Sequence, residues 1–205
     1  VRTPRSARWI ALAVALVCAC RAGEPVSQTD ELRVISLSPS TTDVVIALGE
    51  RKALVGVDQY SQVLSGIGEL PSLGGLFAPD LERALELRPT LVLGVRSESQ
   101  AAFFAQLRAR GVRVQEIDSS GSLEQVLATY SQIGKELGRE PEARALVARV
   151  REQLAEVSRS VEGLGRPSVA LVVEREPLYV VAGGSFASAL IELAGETAQP
   201  VSVPD

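Results

Sequence analysis

Hydroxyl, aromatic and arginine side chains are the candidates for chemistry in this chain, because histidine is absent from all 205 residues. Without histidine there is no Ser-His-Asp or Cys-His arrangement and no His-based zinc site. No Gly-x-Gly-x-x-Gly follows the first predicted strand, and there is no P-loop. Gly183 and Gly184 precede a predicted helix, but two glycines are weak evidence for a phosphate site. The residue types therefore favour binding over catalysis, with a Rossmann-like enzyme as the alternative.

The candidate binding residues follow predicted strands, where the carboxyl ends of parallel strands and the starts of helices form a crevice. They are Ser38, Pro39, Ser40, Thr41, Tyr60, Gly74, Gly75, Leu76, Phe77, Arg96 and Ser97. The hydroxyls and backbone N–H groups after the first strand can bind a polar ligand edge. Alternatively, Ser40 and Thr41 serve only to cap the helix that follows.

The candidates further along the chain, from Tyr60 onward, offer apolar surface and one positive charge. Tyr60 has a broad apolar face and a polar tip, which suits a large planar ligand. The glycines of loop 74–77 allow a close backbone approach, and Leu76 and Phe77 add apolar surface. Arg96 can pair with a ligand carboxylate or phosphate. An ordinary surface tyrosine, a glycine turn and a solvated arginine are the alternatives.

The elements that must position these residues alternate between apolar strands and helices. Strands are predicted at 34–37, 54–57, 91–93 and 112–114, and helices at 41–48, 79–87, 99–110 and 122–137. The helix over 99–110 is expected to bury Ala102, Phe103 and Leu107. Alternation of this kind predicts a parallel sheet covered by helices. Residues 32–137 are therefore a predicted first α/β lobe.

A long amphipathic helix is predicted over 138–163. Its apolar residues are Ala143, Leu146, Val147, Val150, Leu154, Val157 and Val161, a spacing that keeps one face buried. About 22 helical residues give a rod of about 33 Å. A new pattern follows, with strands at 169–173 and 178–181 and a helix at 185–194. The helix is thus expected to link two lobes, and the short second lobe (164–205) is expected to be incomplete.

The N-terminal segment is typical of export. Three arginines among the first eight residues precede a short apolar run, too short to span a bilayer core of about 30 Å. Val17-Cys18-Ala19-Cys20 resembles a bacterial lipobox. We therefore expect 1–19 to be a lipoprotein signal peptide, Cys20 to be lipidated and 20–31 to be a tether, with a plain signal peptide as the alternative. No cysteine follows Cys20, so folding without a disulfide is expected.

The charge distribution argues against a nucleic-acid partner. The formal net charge is −4, and Lys and Arg form no cluster. Phosphate backbones are bound by such clusters. Nucleic acid is therefore not an expected partner.

Five ordered segments carry a resemblance to a known family. They are Arg33–Asp43, Leu54–Ser61, Pro71–Gly75, Asp80–Arg83 and Arg88–Leu93. In this order and spacing they resemble bacterial substrate-binding proteins of ABC importers, the group that binds vitamin B12 and iron–siderophores. The resemblance extends over residues 33 to 198.

The resemblance implies a fold, a ligand class and a location. The implied fold is α/β, with two Rossmann-like lobes joined by a rigid helix and a ligand of the cobalamin or ferric-siderophore type held between them. The implied location is the periplasmic face of a membrane, to which a lipid anchors the protein. The implied partner is an ABC permease that receives the ligand, and no cofactor is implied. The vitamin B12 binders tend to have Trp in the loop 74–77, and its absence here weakens the cobalamin assignment specifically.

The resemblance also assigns roles to two residues. Tyr60 is expected to face the ligand, and Glu82 is expected to meet permease arginines. Alternatively, Glu82 is only a first-turn acid favoured by the helix dipole. An inactive, truncated lipoprotein remnant is the further alternative for the whole chain.

Overall fold

Four short apolar segments form a parallel sheet in the computed structural model, which describes residues 31–118, 121–181 and 183–198. They are β1 (Val34–Ser36), β2 (Leu54–Val57), β3 (Leu91–Val95) and β4 (Arg113–Ile117). The spatial order is β2-β1-β3-β4, and every pairing in this sheet is parallel. The prediction of a parallel sheet is confirmed.

Helices cover both faces of this sheet. They are α1 (Pro39–Ala47), α2 (Leu81–Glu86), α3 (Glu98–Ala109), α4 (Leu123–Leu137) and α5 (Glu140–Ser160). One apolar cluster packs α1, α4 and the start of α5 against the sheet, and a second cluster packs α2 and α3. In β1, Val34 belongs to the first cluster and Ile35 to the second, because successive strand residues point to opposite faces.

Three helix details differ from the sequence prediction. α1 begins two residues early, because the Ser38 side chain accepts a hydrogen bond from the Thr41 N–H and Pro39 occupies the first turn. α2 begins after Asp80, which caps it, so the helix predicted over 79–87 is shorter. In α3 the prediction for Ala102 was wrong, since Ala102 is exposed and Phe104 is buried instead.

The linking helix is present, but only part of its apolar face is covered. α5 buries Ala143 and Leu146 in its first turns. Val157 near its end is 44% exposed, so the prediction of a continuous buried face is wrong for the described residues. Just past the helix, Val161 is half-buried beside Gly195, so the cover at this end is partial.

The elements after α5 form part of a second lobe. They are β5 (Ser168–Val169), β6 (Val172–Arg175), β7 (Leu178–Val180), α6 (Phe186–Leu193) and β8 (Thr197–Ala198). β5 and β8 pair in parallel, whereas β6 and β7 form an antiparallel hairpin. The strand predicted over 169–173 is therefore two strands. The expectation of a partial second lobe is confirmed, whereas the exact boundaries at 137 and 163 stay a prediction.

The two parts of the fold meet at α6. The Phe186 N–H donates to the Gly121 carbonyl oxygen at 3.0 Å, just before α4. α4 and α5 also pack closely, because a Cβ on Gly134 would lie only 2.4 Å from the Ala143 Cβ.

The predicted signal peptide, Cys20 and the tether up to residue 30 lie outside the described residues. Within the part of the chain that the structure describes, no helix combines the length and apolarity that a membrane span needs.

Candidate ligand-binding site

The strand order creates a switch point at the centre of the sheet. From β1 the chain passes to β2 on one side, and β3 then pairs with the other side of β1. The loops after β1 and β3 consequently diverge at their carboxyl ends, which is where open α/β sheets bind ligands. The candidate residues Ser38, Tyr60 and Arg96 all follow strands at this edge.

A buried hydroxyl network lies beneath this edge. The Thr42 hydroxyl lies 2.8 Å from Ser36 Oγ, 2.9 Å from the Ser38 carbonyl oxygen and 3.0 Å from Ser61 Oγ. Thr41 Oγ1 lies 2.7 Å from Ser36 Oγ and 2.9 Å from Ser38 Oγ. All five of these side chains are buried. The network therefore ties the end of β1 and the start of α1 to the loop after β2.

Asp58 completes the network as a buried carboxylate. It is 2% exposed and accepts hydrogen bonds from the Tyr60 N–H at 2.8 Å, the Ser61 N–H at 3.2 Å and the Ser61 hydroxyl. A carboxylate buried in this way is stabilised when several donors surround it. The consequence is that the backbone that carries Tyr60 is held in place.

Sequence reasoning did not single out Asp58, Thr42 or Ser61 as members of a network. A usable signal was present, because an aspartate that begins a polar loop often accepts bonds from the N–H groups that follow it. The link to Thr42 depends on tertiary structure.

The loop 74–77 lies directly beside the loop of Tyr60. The Gln59 N–H donates to the Gly74 carbonyl oxygen at 2.9 Å. A Cβ on Gly75 would lie 3.5 Å from the Gln59 side chain, so the two loops are in contact. Gly74 has a φ of +86°, a backbone conformation that glycine adopts without strain. The structure thus brings together two of the predicted site segments.

These neighbouring loops present aromatic surface to solvent. Tyr60 is 56% exposed and Phe77 is 74% exposed, while Leu76 is half-buried. Aromatic rings that bury little of their area on folding are available for a ligand or partner.

The remaining predicted site residues differ in how far they are exposed to a ligand. Ser38 is buried as the cap of α1, Pro39 is half-buried, and Ser40 is exposed. The Arg96 side chain is 69% exposed, with its Nε 3.8 Å from the Glu116 carboxylate. Glu116 also pairs with Arg108 at 2.6 Å, so the Arg96 guanidinium shares its partner and remains largely in water.

A small cavity that the sequence did not predict lies next to Ser40. It has a volume of about 180 Å³ and lies between α1, α4 and the start of α6. Its lining is mostly apolar and includes Val44, Tyr130 and Phe186.

Glu82 lies in a different surface depression. The depression has a volume of about 480 Å³ and is lined by Pro71, Asp80, Glu82, Arg83, Glu86 and Leu87. Its three carboxylates outnumber the single arginine. This surface is therefore predominantly acidic.

The described residues contain no group of three or more His, Cys, Asp or Glu side chains placed to hold a metal ion. The pKa of Arg139 is raised because its guanidinium donates to Glu50 at 2.5 Å. That pair joins α5 to the turn after α1 and belongs to the scaffold rather than to the crevice.

Comparison with known proteins gives consistent matches. The model of the family described as periplasmic binding protein matches residues 34–199. An uncharacterised ABC transporter substrate-binding lipoprotein of Bacillus subtilis is 23% identical over 222 residues, which cover 92% of this chain and 70% of that protein. A vitamin B12-binding protein of Yersinia pestis is 30% identical over 169 residues, covering 80% of this chain and 58% of that protein.

Solved structures show the same likeness. A periplasmic heme-binding protein from Pseudomonas aeruginosa superimposes with a TM-score of 0.70 at 27% identity, covering 83% of this chain and 66% of that chain. The chain thus spans less than two thirds of the Yersinia and Pseudomonas proteins.

Proposed function

Because this chain belongs to the periplasmic binding protein family, we propose that it is the substrate-binding component of an ABC importer. Its ligand is a large macrocyclic metal chelate of the cobalamin or heme kind. The observation that carries this proposal is the pair of exposed aromatic residues, Tyr60 and Phe77, in adjoining loops at the carboxyl edge of the sheet.

The geometry supports binding of a broad apolar face. Aromatic rings bind such faces through large contact areas, and their preferred offset-stacked geometry suits a planar macrocycle. The polar support beneath is already hydrogen-bonded in the described residues, so the Tyr60 loop needs little ordering when a ligand arrives. Preorganisation of this kind lowers the entropic cost of binding.

The polar edge of the ligand has candidate partners on the same side. Arg96 is exposed and offers a charge to a carboxylate or phosphate. Ser40 is exposed at the start of α1. The relatives named for vitamin B12 and heme suggest the same ligand class, since both molecules contain a broad metal-binding macrocycle with polar side groups. A ferric siderophore remains the third ligand to test.

Export and membrane attachment are part of the proposal. The basic and apolar leader and the lipobox around Cys20 support lipidation at that residue, and one relative is named as a lipoprotein. Glu82 is the proposed contact with the permease, because it is exposed on an acidic surface that excludes Tyr60 and Phe77. A charge at such a rim mainly steers association.

A calorimetric titration tests the ligand proposal. Purified protein is titrated with cyanocobalamin, heme and a ferric hydroxamate siderophore. Tyr60→Ala should weaken binding of the preferred ligand by about 1–3 kcal/mol if the ring is an anchor. Tyr179→Ala is the matched control, since Tyr179 is 60% exposed on β7. Equal affinities for the two variants would remove Tyr60 from the site, and no binding of any probe would refute the ligand proposal.

A further inference from the structure

Gln100 is a fully buried amide directly behind the loop 74–77. It lies in the first turn of α3 and is 0% exposed. Its Nε2 donates to the Leu76 carbonyl oxygen at 2.5 Å, across 24 residues of sequence. Glutamine is seldom buried completely, so a residue in this position calls for a specific reason.

The surroundings of Gln100 argue against a simple space-filling role. Gly94 on β3 has no room for a side chain, since a Cβ there would lie 2.5 Å from Phe104 Cζ and 3.4 Å from Gln100 Oε1. Within the described residues, Gln100 Oε1 has no hydrogen-bond partner. An unpaired buried carbonyl is costly, and methionine would fill the same volume without that cost. The bond from Nε2 to Leu76 is the interaction that only an amide of this length supplies.

That bond sets the direction of a whole peptide unit. In a trans peptide the C=O and the following N–H point in opposite directions. Because the Leu76 C=O points inward to Gln100, the Phe77 N–H points outward. In the described part of the chain the Phe77 N–H has no hydrogen-bond acceptor, and the residue is 74% exposed.

We propose that Gln100 is a positioning residue of the ligand site, and that it directs the Phe77 N–H toward a hydrogen-bond acceptor on the edge of the ligand. The acceptor is a carboxylate, a phosphate or an amide carbonyl, because these are the groups that bind an outward backbone N–H. The inference rests on the proposed function. It adds a polar contact beside the apolar faces of Tyr60 and Phe77.

Gln100→Met tests the inference with Gln106→Met as the matched control. Gln106 lies on the same helix but is exposed, so the control makes the same chemical change in solvent. The ligand-free readout is NMR amide exchange at Gln59 and Asp80, whose N–H groups donate to Gly74 and Leu73 at the base of the loop. Exchange at both should rise about 5–10-fold in Gln100→Met, as expected for the loss of one hydrogen bond.

The ligand-dependent readout is binding of cyanocobalamin and of heme. Gln100→Met should bind the preferred probe about 5–10-fold more weakly than Gln106→Met does. Cyanocobalamin is diamagnetic, so the Phe77 amide resonance can be followed directly. If cyanocobalamin is the preferred probe, that resonance should shift on its addition in the wild type and shift less in Gln100→Met.

The outcomes separate this inference from the proposed function. If amide exchange at Gln59 and Asp80 in Gln100→Met equals that in Gln106→Met, the positioning role is overturned, whatever the ligand. If the wild type binds neither probe, the ligand contact and a ligand of the cobalamin or heme kind are both refuted, and exchange alone decides whether Gln100 holds the loop. Should Gln100→Met fail to fold, Gln100→Asn replaces it under the same criteria, because its amide is one methylene too short to reach Leu76.

Discussion

Asp58→Ala is expected to destabilise the protein more than any exposed acidic substitution. Asp58 is 2% exposed and accepts bonds from two backbone N–H groups and one hydroxyl. Hydrogen bonds to a charged group each contribute about 1.5–3 kcal/mol net, and bonds that share one carboxylate do not add fully. We therefore expect a loss of about 2–4 kcal/mol in the free energy of unfolding.

Asp58→Asn separates the contribution of the negative charge from that of the hydrogen bonds. The amide oxygen still accepts from the Tyr60 and Ser61 N–H groups, and the amide N–H can donate to Ser61 Oγ. Ser61 can then donate to Thr42 Oγ1, which lies 3.0 Å away. The asparagine variant should consequently lose only about 1 kcal/mol.

Urea unfolding followed by far-UV circular dichroism measures these values. Asp43→Ala is the control, since Asp43 is exposed on α1 next to the same network. The expected order of destabilisation is Asp58→Ala, then Asp58→Asn, then Asp43→Ala. A loss below about 1 kcal/mol for Asp58→Ala would show that solvent replaces these bonds and that the network does not hold the Tyr60 loop.

Three further substitutions test other parts of the argument. Gly134→Ala should lower the free energy of unfolding by about 1–3 kcal/mol, because the added Cβ would lie 2.4 Å from Ala143 Cβ between α4 and α5. An unchanged urea midpoint would contradict this packing. Glu82→Arg should leave ligand affinity intact and slow uptake into vesicles that contain the cognate permease. The slowing should be strongest at low ionic strength, and normal uptake would show that Glu82 is only a helix-opening acid. Cys20→Ser should release the protein from membranes, and mass spectrometry that finds no acyl chain on Cys20 of the parent would refute lipidation.

Local patterns were enough to predict the elements of the first lobe. Short apolar segments between helical segments indicated a parallel sheet, and its four strands appear within a few residues of the predicted bounds. The helix that begins after Ser122 was also predicted, and there Ser122 and Gln125 form a capping box. Such features depend on residues three or four apart, so the sequence displays them directly.

The candidate site could be predicted only in part. The carboxyl edge of the sheet, Tyr60 and the loop 74–77 followed from the order of strands and loops. The contact between Gln59 and Gly74, which joins those loops, depends on how the chain returns beside β2. Many strand orders satisfy the same apolar pattern, so the pattern does not specify which loop lies beside the loop of Tyr60.

Polar side chains show the clearest division between sequence and tertiary structure. By residue type Asp58 and Gln100 belong on the surface, because burial removes them from water at a cost that exposed positions avoid. Their burial becomes favourable only where partners meet them. Leu76 does so for Gln100 across 24 residues of sequence, whereas Asp58 is met by the nearby Ser61, which Thr42 in turn contacts from 19 residues away. The sequence by itself determined the strands, the helices and the edge at which they end. Tertiary structure decided which polar groups hold that edge together, since a hydrogen bond depends on where both partners lie in space.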